Sequence, residues 1–415
     1  MGKYTLAQVY SSGSLDSQRV RLKKLCADFE DTVGCKPTRL FSASGRTELG
    51  GNHTDHNCGC VLAAGVSLDV IAAVRPTDDG IITVTSEGFG VDRIDTSDLE
   101  IKQDELGSSA ALIRGVAAGF ARRGLNIGGF TAYSTSNVLK GSGLSSSAAF
   151  EVLIGAILNG LYNAHSVSDI EIAKISQYAE NVYFGKPSGL MDQMACSVGG
   201  VISVDFESEA DPKVQSLKLD LESSGYSLCI VDTKGDHADL TPDYAAIPSE
   251  MKAVAGVFGK RVLRQVDRKE FESRGAEVRK LCGDRAYLRA LHFYDENRRV
   301  ELEAEAIARG DTEAYLKLVN ESGMSSLCWL QNIFPCSQPQ NQGLSVGLYA
   351  AKKVLGDRGA CRVHGGGFAG TIQAYVPFGL VDSFKAEMEG LFGEGSCHIL
   401  GIRNVGGAEI DLSEV

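Results

Sequence analysis

Two carboxylates, Glu180 and Asp192, flank the loop Gly185-Lys186-Pro187-Ser188-Gly189, one near the end of a helical stretch and the other just past the loop. Acids converging on one connection could divide labour, one holding Mg²⁺ and the other accepting a hydroxyl proton, or could be two solvated acids. The segment from Gly45 to Gly59 packs Arg46, Glu48, Asn52, His53, Asp55, His56 and Asn57 beside an apolar run. Such a density of donors and acceptors suits a polyhydroxylated ligand, and a plain surface loop is the alternative. His53-x-x-His56 lacks the helical i, i+4 spacing of a zinc pair. In Lys140-Gly141-Ser142-Gly143-Leu144-Ser145-Ser146-Ser147-Ala148-Ala149, glycines and hydroxyls lead into a helix. Glycines admit close backbone approach, and free amides at a helix start bind phosphate oxygens, so a nucleotide triphosphate fits; a simple cap is the other reading. No G-x-x-x-x-G-K-[ST] loop occurs. Gly365, Gly367 and Gly370 formally satisfy G-x-G-x-x-G, but the β-like run Thr371 to Val376 follows where a dinucleotide site needs a helix. A tight turn with close backbone approach is what remains.

The elements that must position these groups are legible in part. Leu22, Leu25, Cys26 and Phe29 recur at helical spacing within residues 16 to 33. Val61 to Val74 and Ile81 to Thr85 are strand-like, with Pro76, Asp78, Asp79 and Gly80 as turn residues. Ser147 to Leu161 forms a helix from the glycine loop, and Ser168-Asp169-Ile170-Glu171 is a capping box for another that ends at Gly185. After a strand at Gly200 to Asp205, the polar stretch Glu207 to Glu222 marks a domain boundary, giving domains 1–222 and 223–415. The second half opens on a β run, Ser227 to Val231, and continues with helices at Glu301 to Arg309, Thr312 to Asn320 and Leu344 to Leu355.

A length of 415 residues fits two domains, and 43% hydrophobic with 23% charged residues excludes disorder and fibres. The 41 basic and 53 acidic residues leave a net charge of −12, which disfavours nucleic-acid partners. Eleven scattered cysteines without a C-x-x-C pair suggest reduced thiols rather than a disulfide framework. No run reaches the ~18 apolar residues of a membrane span, and no signal core opens the chain. A cytoplasmic protein with no membrane partner is the expectation; two N-x-[ST] sequons read as chance.

In their order and spacing the glycine segments resemble those of the GHMP small-molecule kinases. The first is similar to the sugar signature of the galactokinase branch, roughly G-R-x-N-L-I-G-E-H-T-D-Y-N-x-G, with Gly45-Arg46, Leu49, Gly51, His53-Thr54-Asp55, Asn57 and Gly59 in register. Gly141 to Ala149 resembles the phosphate loop and Gly365 to Gly370 the C-terminal glycine motif. The resemblance implies an α+β, two-domain GHMP kinase fold: an N-terminal α+β domain like that of a ribosomal protein, and a ferredoxin-like α+β domain, with ATP and sugar between them.

It further implies phosphorylation of the C1 hydroxyl of galactose by ATP with Mg²⁺. Asp192 would accept the proton and Arg46 would be its cationic partner, holding Asp192 ionised and offsetting charge on the transferring group. Ser146 and Glu180 fall where the Mg²⁺ ligands lie, with Ser147 as a substitute for Ser146. Gly141, Ser142, Gly143, Leu144, Ser145, Ser146, Ser147 and Ala148 would take the phosphates. His53, Asp55, Gly189, Tyr244 and Gly366 match sugar contacts. Asn52 stands where galactokinases carry an acid at the C6 end of the sugar, Glu48 where they carry an asparagine, and His56 where they carry a tyrosine. Losing that acid would remove like-charge repulsion of a C6 carboxylate, so galacturonate is an alternative acceptor. A sugar sensor without turnover is the rival from another class; a kinase of a non-sugar alcohol is disfavoured by His53-Thr54-Asp55.

Overall fold

The computed structural model describes residues 2–138, 143–208, 211–235 and 240–415. Among these, thirteen strands form two sheets: β1 (Lys3–Tyr4), β2 (Arg39–Gly50), β3 (Cys60–Thr77), β4 (Ile81–Ser86), β5 (Val91–Asp95), β6 (Gly129–Ser136), β7 (Val201–Asp205), β8 (Lys213–Leu217), β9 (Tyr226–Asp232), β10 (Ala360–His364), β11 (Thr371–Pro377), β12 (Cys397–Leu400) and β13 (Ala408–Ile410). The first sheet runs β1-β13-β2-β3-β6-β4-β5, with β7 and β8 branching from β3. The branch is possible because β3 is 18 residues long. Its far end, Val70–Thr77, pairs β6, while Cys60–Ala64 pairs β7. The run read in sequence as strand-like from Val61 to Val74 is thus one long strand serving two neighbours, and Ile81 to Thr85 falls in the separate β4.

Both faces of this sheet are covered, as the period of two requires. Leu40, Ile71 and Ala73 pack against Leu22, Leu25 and Phe29 of the helix Leu15–Val33. Their neighbours Phe41, Ala72 and Val74 face the opposite way, onto Val152, Ala156 and other residues of the helix Ser146–Tyr162. The second sheet, β10-β11-β9-β12, is antiparallel throughout. One face packs on the helices Gly343–Leu355 and Val381–Phe392 through Leu344, Ala351, Phe384 and Met388. The other presents Leu228, Ile230 and Tyr375 to Tyr315 and Val319 of the helix Thr312–Ser325, within the same apolar core that reaches Leu49 and Leu62 of the first sheet.

Three elements differ from their reading in sequence. The helix opened by Ser168, whose hydroxyl accepts from the Glu171 amide, is α-helical only to Tyr178 and continues as a π-helix over Ala179–Phe184. Glu301 to Arg309 is the final part, with its C-terminal cap Arg309, of a 25-residue helix, Asp284–Ala308. The polar stretch after Asp205 contains β8. Among the described residues no helix is long and apolar enough to cross a membrane.

Candidate active site

Arg46 lies on β2 beside a bulge, where pairing with β3 shifts between Ser44 and Arg46. A Cβ on Gly45 would stand 3.2 Å from the Leu144 carbonyl oxygen, so the glycine lets the second glycine segment settle on the strand. The Arg46 amide then donates to that oxygen at 3.2 Å. Asp192 occupies the first turn of the helix Met191–Val198, and Arg46 grips it with two parallel bonds, Nε to Oδ1 at 2.7 Å and Nη2 to Oδ2 at 2.8 Å. Ser145, held at φ +53° at the helix start, donates its hydroxyl to the same carboxylate, and Arg46 also donates to the Gly143 carbonyl. Burial alone would raise the Asp192 pKa; the adjacent guanidinium and these hydrogen bonds overcome it and bring the carboxyl down to about 2. Asp192 is therefore ionised at any physiological pH.

Glu180 sits in the π-helical turn with 1% exposure. Oε1 accepts from the Ser147 hydroxyl and Lys186 ammonium, both at 3.1 Å, and Oε2 from Ser188 and Gln193, both at 2.7 Å. The structure thus brings Ser147, not Ser146, to Glu180. Consecutive helical positions point about 100° apart, so only one of two adjacent hydroxyls can face the acid. Gly143, Leu144, Ser145 and Ala148 stand at the foot of this helix, while Gly141 and Ser142 lie outside the described residues. Gly143 packs on the third glycine segment, since a Cβ there would lie 3.1 Å from His364 Nδ1.

The signature loop is pinned by Thr54, whose hydroxyl reaches the Gly51 and Cys60 carbonyls at 2.8 and 2.6 Å. His53, at φ +59°, donates from Nε2 to the Gly366 carbonyl at 2.9 Å. Burial lowers its pKa to about 3, so the ring is neutral. Tyr244 leans over Gly366, where a Cβ would come within 2.6 Å of the phenol ring, and donates to the Gly367 carbonyl at 2.8 Å. Asp55 lies against Gly189, where a Cβ would meet Oδ2 at 1.8 Å. Gly189→Ala must therefore displace Asp55.

Asn52 is the residue the structure does not bring to this surface. It is fully buried, and its carboxamide is saturated by protein: Nδ2 donates to Glu48 Oε1 at 3.0 Å and to the Gly365 carbonyl at 2.7 Å, while Oδ1 accepts from Asn332 at 2.9 Å and Ser326 at 3.3 Å. Its partner Glu48 is also held by Arg362, a fully buried cation on β10. Burial lifts the Glu48 carboxyl to about 7, with Arg362 and Arg46 opposing the rise. Lys186, Ser188, Gln193, Arg362 and Asn332 were not singled out by sequence reasoning. Lys186 and Ser188 stand inside the loop already marked by Pro187, and that loop was the available signal.

Two family models match the chain: the GHMP kinases N terminal domain over residues 111–200, and the galactokinase galactose-binding signature over residues 27–76. The fold is also similar to a solved mevalonate kinase, with a TM-score of 0.63 at 14% identity over 88% of this chain and all of that one. These findings and the site define a GHMP-type small-molecule kinase. The Lactococcus lactis galactokinase solved with galactose superposes with a TM-score of 0.79 at 24% identity, covering 94% of this chain and 100% of that one. A galactokinase from Streptomyces coelicolor is 31% identical over 369 residues, 88% of this chain and 91% of its own length. The chain belongs to the galactokinase family and is a phosphotransferase acting on a sugar.

Proposed function

We propose that the protein transfers the γ-phosphoryl group of ATP to the C1 hydroxyl of galactose, giving galactose 1-phosphate and ADP. The observation that carries this reading is the bidentate Arg46–Asp192 pair at the foot of the phosphate loop. Asp192 is the acceptor of the C1 hydroxyl proton. With its pKa near 2 it is too weak a base to ionise a sugar hydroxyl beforehand, so the proton moves as the new P–O bond forms. Arg46 keeps the acceptor deprotonated and places positive charge beside the transferring group. Amides at the start of the helix Ser146–Tyr162 receive phosphate oxygens. His53, Asp55, Tyr244, Gly189 and Gly366 form the sugar pocket. With Asn52 occupied inside the protein, the missing acid no longer argues for a C6 carboxylate on the substrate.

Ser147 and Glu180 offer a hydroxyl and a carboxylate within 3.1 Å, oxygen ligands of the kind Mg²⁺ takes, and the Lys186 ammonium now on the same Oε1 would have to give way to the ion. A bound Mg²⁺ would neutralise charge on the nucleotide phosphates. Glu180→Gln and Ser147→Ala should each raise the Mg²⁺ concentration for half-maximal rate, the former roughly 10- to 150-fold, whereas Ser146→Ala should not. Titration of Mg²⁺ at saturating ATP and galactose separates them. A division into domains 1–222 and 223–415 is supported by the second sheet, drawn wholly from residues after 225, with β13 crossing back to the first. We place the enzyme in the cytoplasm, with ATP and sugar as partners.

The test is ATP consumption by purified protein with Mg²⁺ across galactose, N-acetylgalactosamine, galacturonate and glucose. Turnover on galactose supports the reading. Galactose binding without turnover on any sugar would move the protein to the sensors, and preference for another sugar would keep the mechanism and replace the substrate.

A further inference from the structure

We propose that Asn52 and Glu48 are positioning residues for the sugar pocket, acting through the Gly365–Gly366 backbone and His53 instead of touching the sugar. This rests on the sugar-kinase reading above. The network joins two distant parts of the chain. From one side come Glu48 at the end of β2 and Asn52 in the signature loop; from the other come Ser326, Asn332, Arg362 and Gly365. Asn52 holds the Gly365 carbonyl from its amide nitrogen and receives Asn332 on its oxygen. Asn332 reaches on to the Gly366 carbonyl at 3.2 Å, and that carbonyl is the acceptor of the His53 ring. The Asn52 backbone is fixed as well, its carbonyl accepting from His292 Nε2 at 2.9 Å.

The two chemical types are complementary. A carboxamide can donate to Gly365 and Glu48 while accepting from Asn332 and Ser326; a carboxylate at position 52 could only accept. Glu48 in turn accepts from the buried Arg362 guanidinium, and Arg362 Nη1 donates to the Leu49 carbonyl at 3.0 Å. The Gly366 segment is packed on the residue that also holds Asn52, since a Cβ on Gly367 would stand 2.2 Å from the Asn332 carbonyl oxygen. Once the Asn52 donor is lost, the Gly365 carbonyl is left buried without it, and the shift passes to Gly366, His53 and Tyr244.

Asn52→Asp changes almost no volume, removes that donor and sets a second carboxylate beside Glu48. We expect the galactose KM to rise roughly 5- to 150-fold, the factor for one unpaired buried group. The ATP KM should stay within about twofold, by the same arithmetic. The affinity for 6-deoxygalactose, measured by competition, should fall by the same factor as that for galactose. Adding Glu48→Gln to Asn52→Asp restores one acid and one amide to the pair, and should recover part of the loss. A loss confined to galactose would overturn the proposal in favour of a direct contact with O6. Equal rises in both KM values, or no recovery in the double variant, would overturn it as well. Should Asn52→Asp fail to fold, Asn332→Ala lies outside the signature loop and must show the same pattern with both sugars. Absence of turnover by the unmodified protein would instead remove the kinase reading; turnover without this pattern removes only the positioning role.

Discussion

Replacing Asp192 with asparagine should lower kcat by about 10²- to 10⁴-fold, the range for losing a positioned proton acceptor. The variant is isosteric, so galactose should still bind, and the loss should fall on kcat more than on KM. Rapid-quench measurement of galactose 1-phosphate checks this. A kcat within tenfold of the unmodified protein would mean that Asp192 does not take the proton. The substitution also leaves Arg46, only 6% exposed, facing a neutral amide and the Gly143 carbonyl, so some loss of thermal stability should accompany it. The pH dependence has a definite sign. The folded carboxyl titrates near 2, below the ~3.9 of an unfolded aspartate. Its contribution to stability is complete above that unfolded value and is lost as the pH falls through the folded one. An acid limb in kcat/KM at pH 5–6 would therefore belong to another group.

The second large effect concerns the fold. Asp69 on β3 is fully buried and accepts from the Tyr10 hydroxyl at 2.6 Å, the Ser42 hydroxyl at 2.6 Å and Arg403 Nη1 at 2.8 Å, with Arg21 as a fourth partner. Burial would raise its pKa, and Arg21 and Arg403 reverse the shift and lower it. Asp69→Ala should cost about 3–5 kcal/mol, because it strands the Arg403 guanidinium among Ser42 and backbone carbonyls without a counter-charge. Denaturant unfolding at pH 7 measures the loss. Removing both partners, as Asp69→Ala with Arg403→Met, should cost less than the sum of the two single changes. The gap between the unmodified protein and Asp69→Ala should narrow in acid: the depressed carboxylate stabilises fully above its unfolded pKa and ceases to do so as pH falls through its folded one. An unchanged gap at low pH would contradict this account.

Arg46, Asp192, Glu180, His53 and Asp55 could be singled out in the sequence because each belongs to a short run that is chemically dense and resembles a kinase-family motif; by themselves those runs left a plain loop and solvated acids open. What escaped depended on where side chains point. Ser146 and Ser147 differ only in helical phase, and the choice between them is made by Glu180, far along the chain. Asn52 reads as a ligand contact because it stands inside the run that matches the sugar signature. Its inward turn is decided by Gly365, Ser326 and Asn332, which no local window contains. The helix Asp284–Ala308 was visible only at its end because the buried face of its earlier part carries Arg289, His292 and Glu296, which mask the apolar period. The strand Ala408–Ile410 has three residues, too few for any alternation to register, yet it fills the gap between β1 and β2.

That strand sets an order of events during synthesis. β13 pairs with β2 and β1, and Arg403 completes the buried charge cluster, so the first sheet cannot close until residues 403 to 410 have left the ribosome. At ~5–20 residues per second, the roughly 360 residues between β2 and β13 leave that β2 edge unpaired for some 20–70 s. An unpaired edge is a template for pairing with another chain. Nascent copies should thus be most vulnerable to aggregation late in translation, and slower growth or a chaperone that shields the open edge should raise the yield of folded enzyme.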